Sequence, residues 1–447
     1  MCDLAGSRHA LSRFHRRSRG AGQDCGTGLP VTGLTDAALL EAVRHTFDRA
    51  RSDPAAPFRI GVAVSGGGDS LALLHLLHLV APDAGYDLHA VTVDHGLRPE
   101  AAAEAAQVAD FCAGLGLPHD TLRWSGPQPT GNLMDQARRA RLDLIAGWAR
   151  ARGIGHVALG HTADDRAESF LMNLARASGL DGLSGMRAVW ADAGVIWHRP
   201  LLGQTRAALR DYLRGQGIGW IDDPSNDNDR FTRVKARRAL RALAPLGITV
   251  ERLSGTIDNL AVVRATLTGV TAQFARGIRE ESGALVLPRD LWAGWPEEIR
   301  RRLLICVIRW MNGASYPPRA AQIAALAAGL DLGRDATLAG VRFRARGDHV
   351  LITREARATM PPVVWGMTWD HRWQVQGPGG ESLHIAALGA EGLRQCPDWR
   401  QKGPREALIV SPAVWHKDRL IAAPLARNEP EWGATLGPSF GMFILAH

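Results

Sequence analysis

Between residues 60 and 180 short apolar, β-branched runs alternate with stretches of helical periodicity, and each run ends in a polar cluster. Alternation of this kind leaves room for little besides a parallel sheet with helices on its faces. Residues 60–64, 88–93, 122–124 and 156–160 read as strands, and 70–80, 100–113, 132–152 and 162–177 as helices. Pro99 suits the entry to the second helix, and Thr162 can cap the fourth. The expected fold class is α/β: a doubly wound parallel sheet, followed by a mostly helical region and a small C-terminal α+β region. Ligands of such sheets bind beyond the carboxyl ends of the strands. The polar clusters at 65–70, 94–98 and 161–168 sit at those ends.

After about residue 228 the pattern changes. Residues 230–244 form a basic helical stretch, and 251–282 and 295–312 also have helical spacing. Residues 337–354 read as a hairpin turning at Gly347-Asp348. The tail, 356–447, is rich in Trp, Pro and Gly and has no clear period. Residues 1–35 carry arginines but no apolar stretch, and are expected to lie outside the fold. No run of 18 apolar residues is present, so no membrane span is expected. The formal net charge of +8 suits a polyanionic partner such as nucleic acid. A solvated basic surface would give the same balance. The five cysteines are widely spaced and include no C-x-x-C pair. That usage excludes the common zinc and iron–sulfur patterns and fits a reducing, cytoplasmic setting.

Ser65-Gly66-Gly67-Gly68-Asp69-Ser70 follows the first strand and opens a helix. Three glycines let the backbone approach an anion, and their N–H groups, with the helix N-terminus, form a phosphate nest. Ser65 and Ser70 add hydroxyls. Asp69 would repel a phosphate, so its place there makes sense if it holds a magnesium ion bridging phosphates. The loop has neither G-x-x-x-x-G-K-[ST] nor G-x-G-x-x-G spacing, which disfavours the Walker and dinucleotide-binding readings. Asp165 and Glu168 are three apart on one helix face, where two carboxylates could hold a cationic amine or simply favour a helix N-terminus. Asp164 is an alternative magnesium ligand. Arg138 and Arg141 share a face and suit a nucleotide phosphate or a nucleic-acid backbone, or a solvated surface. His95 and His161 stand at strand ends, where a structural hydrogen bond serves as well as a catalytic one.

The loop resembles the SGGxDS pyrophosphate loop of the ATP pyrophosphatases, which cleave ATP between the α and β phosphates. Further motifs narrow the resemblance: Asp94-His95-Gly96-Leu97-Arg98, residues 161–168, residues 174–186, Arg199-Pro200-Leu201-Leu202, and Asp222-Asp223-Pro224-Ser225-Asn226. Their order and spacing over about 59–240 are similar to those of the tRNA(Ile)-lysidine synthetases. Ala137-Arg138-Arg139-Ala140-Arg141 resembles that family's Ala-Arg-x-x-Arg helix, and 337–355 weakly resembles its C-terminal region. The chain departs from the family at Thr162 (histidine there), Ser169 (threonine), Ala177 (glycine) and Arg233-Val234 (an Arg-Asn pair).

The resemblance implies an ATP-dependent ligase of the PP-loop fold. It adenylates C2 of the wobble cytidine in a CAU-anticodon isoleucine tRNA, and free L-lysine then displaces AMP to form lysidine. It implies ATP/pyrophosphate binding by Ser65, Gly66, Gly67, Gly68, Asp69 and Ser70, with Mg2+ on Asp69. Catalytic roles fall to Asp69, Asp164, Asp165 and Arg176, lysine binding to Asp165 and Glu168, and tRNA binding to Arg138, Arg141, Arg233, Lys235, Arg237 and Arg238. The expected domains are an extension over 1–35, a catalytic PP-loop domain over 36–228, a helical tRNA-contacting region over 229–335 and a C-terminal region over 336–447. A homodimer is an open expectation. The rival readings are a tRNA thiolase of the same superfamily, which would want reactive cysteines, and a non-catalytic nucleotide- or RNA-binding protein.

Overall fold

A computed structural model describes residues 36–51, 58–94, 96, 100–124, 133–222 and 232–446, and the side chains of these except 133–138. The 1–35 extension, His95, and most of the 94–98 and 222–226 motifs lie outside the described residues. The chain divides into two compact units, Met1–Arg264 and Ala265–His447.

The first unit is built on a six-stranded sheet. Its strands are β1 (Phe58–Ala63), β2 (Tyr86–Asp94), β3 (His119–Arg123), β4 (His156–Leu159), β5 (Val189–Asp192) and β6 (Val195–His198), in the order β3-β2-β1-β4-β6-β5. All neighbours pair in parallel except β5 and β6. Successive residues of β1 face opposite ways. Ile60 and Val62 enter one core with Leu39, Val43 and Phe47, while Ala63 enters another with Ile145, Trp148 and Val157. Burial on both faces explains why the strands read as continuous apolar runs. The first core is covered by α1 (Asp36–Asp48), α2 (Gly68–Ala84), α3 (Ala101–Gly114) and the later helix over 206–215. The second lies under α4 (Leu133–Ala151).

The β5–β6 hairpin was not legible as strands. It turns at Ala193 and Gly194, both with positive φ, and stacks Trp190 on Trp197. After β4 come α5 (Ala163–Leu174), α6 (Leu180–Leu183), α7 (Arg206–Gly215), α8 (Thr232–Leu243) and α9 (Val250–Ala275). Ala167 and Phe170 of α5 pack with Leu240 of α8 and with Leu253 and Ile257 of α9.

In the second unit β7 (Arg279–Glu281), β8 (Ala284–Pro288), β9 (Ala336–Leu338), β10 (Val341–Arg346) and β11 (His349–Arg354) form an antiparallel sheet in the order β7-β8-β11-β10-β9. The β10–β11 turn falls at Gly347-Asp348, as the sequence indicates. The helix read over 251–282 ends at Ala275, because Gly277 follows and Ser282 and Gly283, both at positive φ, turn the chain into the β7–β8 hairpin. The tail holds two small sheets of short strands, too brief to leave a periodic signal. Among the described residues no helix is long and apolar enough to cross a membrane.

Candidate active site

The sheet order reverses between β1 and β4: from β1 the chain adds β2 and β3 on one side, then crosses to β4 on the other. Crevices at such switch points hold ligands in open α/β sheets. Two of the three clusters singled out in the sequence lie at this one, residues 65–70 beyond β1 and 161–168 beyond β4. They are held in close contact by Gly160, where an added Cβ would lie 2.9 Å from Ser70 Cα.

In the loop, Gly66 has φ +80, and a Cβ there would strike Ile221 Cδ1 at 2.6 Å. A left-handed, tightly covered position of this kind admits glycine alone. The loop is braced from within: Ser70 Oγ accepts from the Ser65 N–H (3.1 Å) and donates to Gly67 O (3.0 Å). It is braced from outside by the Ile221 N–H, which donates to Gly66 O (2.9 Å), and by the Trp220 ring over Gly68. Neither residue was singled out in the sequence. Gly67 caps α2 without a side-chain bond, so this helix N-terminus keeps N–H groups for an anion.

Thr162 caps α5 in a capping box: its backbone N–H (2.9 Å) and hydroxyl (3.0 Å) donate to Asp165 Oδ2. The other Asp165 oxygen faces Arg206, a residue that sequence reasoning passed over. The Arg206 guanidinium reaches three carboxylates, from Nε to Asp69 Oδ2 (3.1 Å), Nη2 to Asp165 Oδ1 (3.3 Å) and Nη1 to Glu168 Oε1 (3.4 Å). Its backbone N–H donates to Asp164 Oδ2 at 2.7 Å. Asp69, Asp164, Asp165 and Glu168 thus meet around one residue. Glu168, only 1% exposed, also accepts from Arg237 Nε of α8 at 2.6 Å.

The electrostatics follow. Burial pushes the Asp69 carboxyl above its ordinary value; Arg206 opposes the shift, and Asp165 and Asp164 add to it. Burial also acts to raise Asp165, but Arg206, with His161, the Thr162 N–H and Arg233, outweighs it and holds that carboxyl below the usual aspartate value. Burial disfavours the charged form of Arg206, yet the surrounding carboxylates overcome this and raise its pKa. Asp69 Oδ1 and Glu168 Oε2 are buried with no hydrogen-bond partner among the described residues. Such oxygens are costly unless a ligand satisfies them.

The other expected residues are placed less uniformly. Arg176 is exposed beyond the C-terminal end of α5, whereas Asp165 and Glu168 lie toward its start. From Asp165 to Leu174, where α5 ends, the helical rise is about 14 Å, and Arg176 lies two residues beyond. On α8, Val234, Ala236 and Leu240 are buried, Lys235 and Arg238 are exposed, and Arg233 is half-buried. Arg237 donates to Glu168 and keeps 26% of its side chain exposed. Arg141 is half-buried on α4, and the Arg138 side chain lies outside the description. His161 Nδ1 accepts from Arg199 Nε (3.2 Å), whose guanidinium also lies 3.9 Å over the Trp190 ring.

Residues 40–243 match the PP-loop domain family. The tRNA(Ile)-lysidine synthase of Ruegeria pomeroyi is 47% identical over 391 residues, covering 87% of this chain and 93% of the relative. That of Hyphomonas neptunium is 42% identical over 74% of this chain and 89% of its own length. That of Rhizobium meliloti is 35% identical over 86% of this chain and 82% of its own.

Proposed function

The chain belongs to the tRNA(Ile)-lysidine synthase family, and we propose that the carboxylate cluster around Arg206 is where its ATP-dependent ligation joins lysine to tRNA. The reaction class is ATP-dependent lysidine formation on tRNA(Ile). In detail, ATP adenylates C2 of the wobble cytidine of the CAU anticodon, and the ε-amine of free L-lysine displaces AMP. The observation that carries the site reading is the pair of unpartnered buried oxygens, Asp69 Oδ1 and Glu168 Oε2, at the switch point of the sheet.

Each oxygen suits a different cation. Asp69 stands in the first turn of α2, beside the N–H groups of the loop. Magnesium is usually held by one or two carboxylates together with substrate phosphates, and Asp69 Oδ1 fits that need. The ion would neutralise phosphate charge there. The loop N–H groups and Ser65 would hold the β and γ phosphates, and the braced Gly66–Gly68 backbone keeps them in place before reaction. Glu168 Oε2 suits the ammonium of lysine, with Asp165 adding charge nearby. The exposed Lys235 and Arg238 would contact tRNA phosphates.

Incubation of the protein with ATP, labelled lysine and total tRNA, followed by nucleoside analysis, tests the function. Label in a modified cytidine is expected, with AMP and pyrophosphate released. A product that needs a sulfur donor instead of lysine would move the chain to the thiolases. The described cysteine of the first unit, Cys112, is buried in the core with α3 rather than at the site.

A further inference from the structure

The carboxylates assigned above to magnesium and lysine share one internal cation in this structure. Arg206 gives one nitrogen to each of Asp69, Asp165 and Glu168, at 3.1, 3.3 and 3.4 Å. No acid receives the two-pronged contact that makes an arginine–carboxylate pair strong. The side chain is spread across three acceptors and locked to none. Its backbone, in contrast, is fixed: the Arg206 N–H donates to Asp164, and Thr205 Oγ1 accepts from the Ala208 N–H at 3.2 Å to cap α7. The guanidinium can therefore turn without moving the helix. Beside it lies an open surface groove lined by Asp164, Arg206, Ala207, Arg210, Asp211 and Arg214.

Charge decides when it turns. Four acids, Asp69, Asp164, Asp165 and Glu168, surround Arg206, and Arg237 is a second cation bonded to the group. A divalent ion on Asp69 would face the Arg206 guanidinium across a single carboxylate and repel it. A lysine ammonium at Glu168 would meet the same obstacle. The triphosphate that arrives with the ion brings pairs of anionic oxygens that can take the guanidinium fork, a contact none of these three acids makes here.

We propose that Arg206 is an internal counter-cation that occupies the amine site until nucleotide binds, and that it then turns to the phosphates and leaves Asp165 and Glu168 to lysine. This rests on the reading that Asp69 serves magnesium-bound ATP and Asp165 and Glu168 serve the amine. It gives Arg206 the role of offsetting pyrophosphate charge. It also makes ATP and lysine binding positively coupled, and coupling between two ligands is reciprocal.

The test measures binding without turnover. Equilibrium dialysis of labelled lysine against the full-length protein, without tRNA, is run with and without Mg2+ and α,β-methylene-ATP. In the unaltered protein nucleotide should tighten lysine binding about tenfold, within the usual range for coupled sites. Saturating lysine should tighten nucleotide binding by the same factor. Arg206→Ala should bind lysine equally with and without nucleotide, and bind the nucleotide more weakly. Arg206→Lys keeps the charge but not the fork, so it guards against misfolding of the alanine variant; its coupling should fall below threefold. Lysine affinity independent of nucleotide in the unaltered protein would overturn the proposal, as would tenfold coupling surviving in a folded Arg206 variant. Absence of lysine binding in both states would overturn it too. If labelled lysidine still formed, the family's reaction would stand and only the amine site would be misplaced; if it did not, the functional reading itself would fail.

Discussion

Arg237→Ala separates two roles that share one helix. Arg237 Nε donates to Glu168 Oε1 at 2.6 Å, and Glu168 is 1% exposed while Arg237 is 26% exposed. Removing one partner of a fully buried ion pair costs about 3–5 kcal/mol. Here the loss is smaller, because Arg206 remains on the same oxygen at 3.4 Å and Arg237 is partly in water. What disappears is one short hydrogen bond to a charged acceptor, about 1.5–3 kcal/mol. A cost of about 2 kcal/mol should lower the melting temperature of a unit of this size by about 4–8 °C. The freed carboxylate would bind Arg206 more tightly, so the apparent KM for lysine should rise several-fold. The KM for ATP should move less, and Arg237→Lys should restore part of both losses. Thermal unfolding by circular dichroism and initial rates at varied lysine read these quantities. An Arg237→Ala protein with unchanged melting temperature and unchanged lysine KM, but weaker tRNA binding, would show that Arg237 serves phosphate and that its contact with Glu168 is incidental.

The remaining expectations concern the rest of the site. Asp69→Asn should leave the fold intact and lower adenylation by at least about 10²-fold, the scale of losing a fixed charge-stabilising group. Because burial first, and then Asp165 and Asp164, raise the Asp69 pKa, kcat/KM for ATP should fall with acid starting above the ordinary aspartate range. Added Mg2+ should push that limb to lower pH, and a limb unaffected by Mg2+ would refute the role. Replacing exposed Lys235 and Arg238 together with alanine should weaken tRNA binding and flatten the log–log salt slope by about one to two units, measured by filter binding; unchanged affinity and slope would leave α8 as a solvated helix. Ala177 has φ 52, where the family usually carries glycine. Ala177→Gly should stabilise the protein by about 0.5 kcal/mol, relief of left-handed strain outweighing glycine's entropy; a lower midpoint in urea would contradict this.

What the sequence made legible is what sits close together along the chain. The loop at 65–70, the Thr162 cap and the 341–354 hairpin each depend on residues within a few positions of one another, and each is where it was expected. Arg206 was missed because its partners are distant: Asp69 is 137 positions away and Glu168 38. One local signal was available. Arg206 is the first residue of α7, a helix with no acid in its first turn, and a cation there opposes the helix dipole. An arginine in so unfavourable a place implies a compensating anion from elsewhere in the fold. Arg176 lies two residues beyond the end of α5, and Asp165 and Glu168 lie toward its start.

Asp165 explains why two readings of the acids, helix capping and amine binding, looked like alternatives. Its Oδ2 accepts both the Thr162 N–H and the Thr162 hydroxyl, so that oxygen belongs to the cap. Its Oδ1 faces the interior of the cluster and meets Arg206. One carboxylate serves both purposes, and the cap fixes the direction in which the free oxygen points. Glu168, one turn along, has no capping duty; Arg206 and Arg237 share its Oε1 and leave Oε2 unpartnered among the described residues. The division makes opposite demands on substitution. Asp165→Asn removes charge and also weakens the cap, so it should cost stability as well as lysine affinity. Glu168→Gln removes the proposed ammonium ligand and weakens the pairs with Arg206 and Arg237 while keeping an acceptor oxygen, so it should raise the lysine KM at a stability cost no larger than that of Arg237→Ala. A Glu168→Gln protein that bound lysine normally while Asp165→Asn did not would transfer the amine to Asp165.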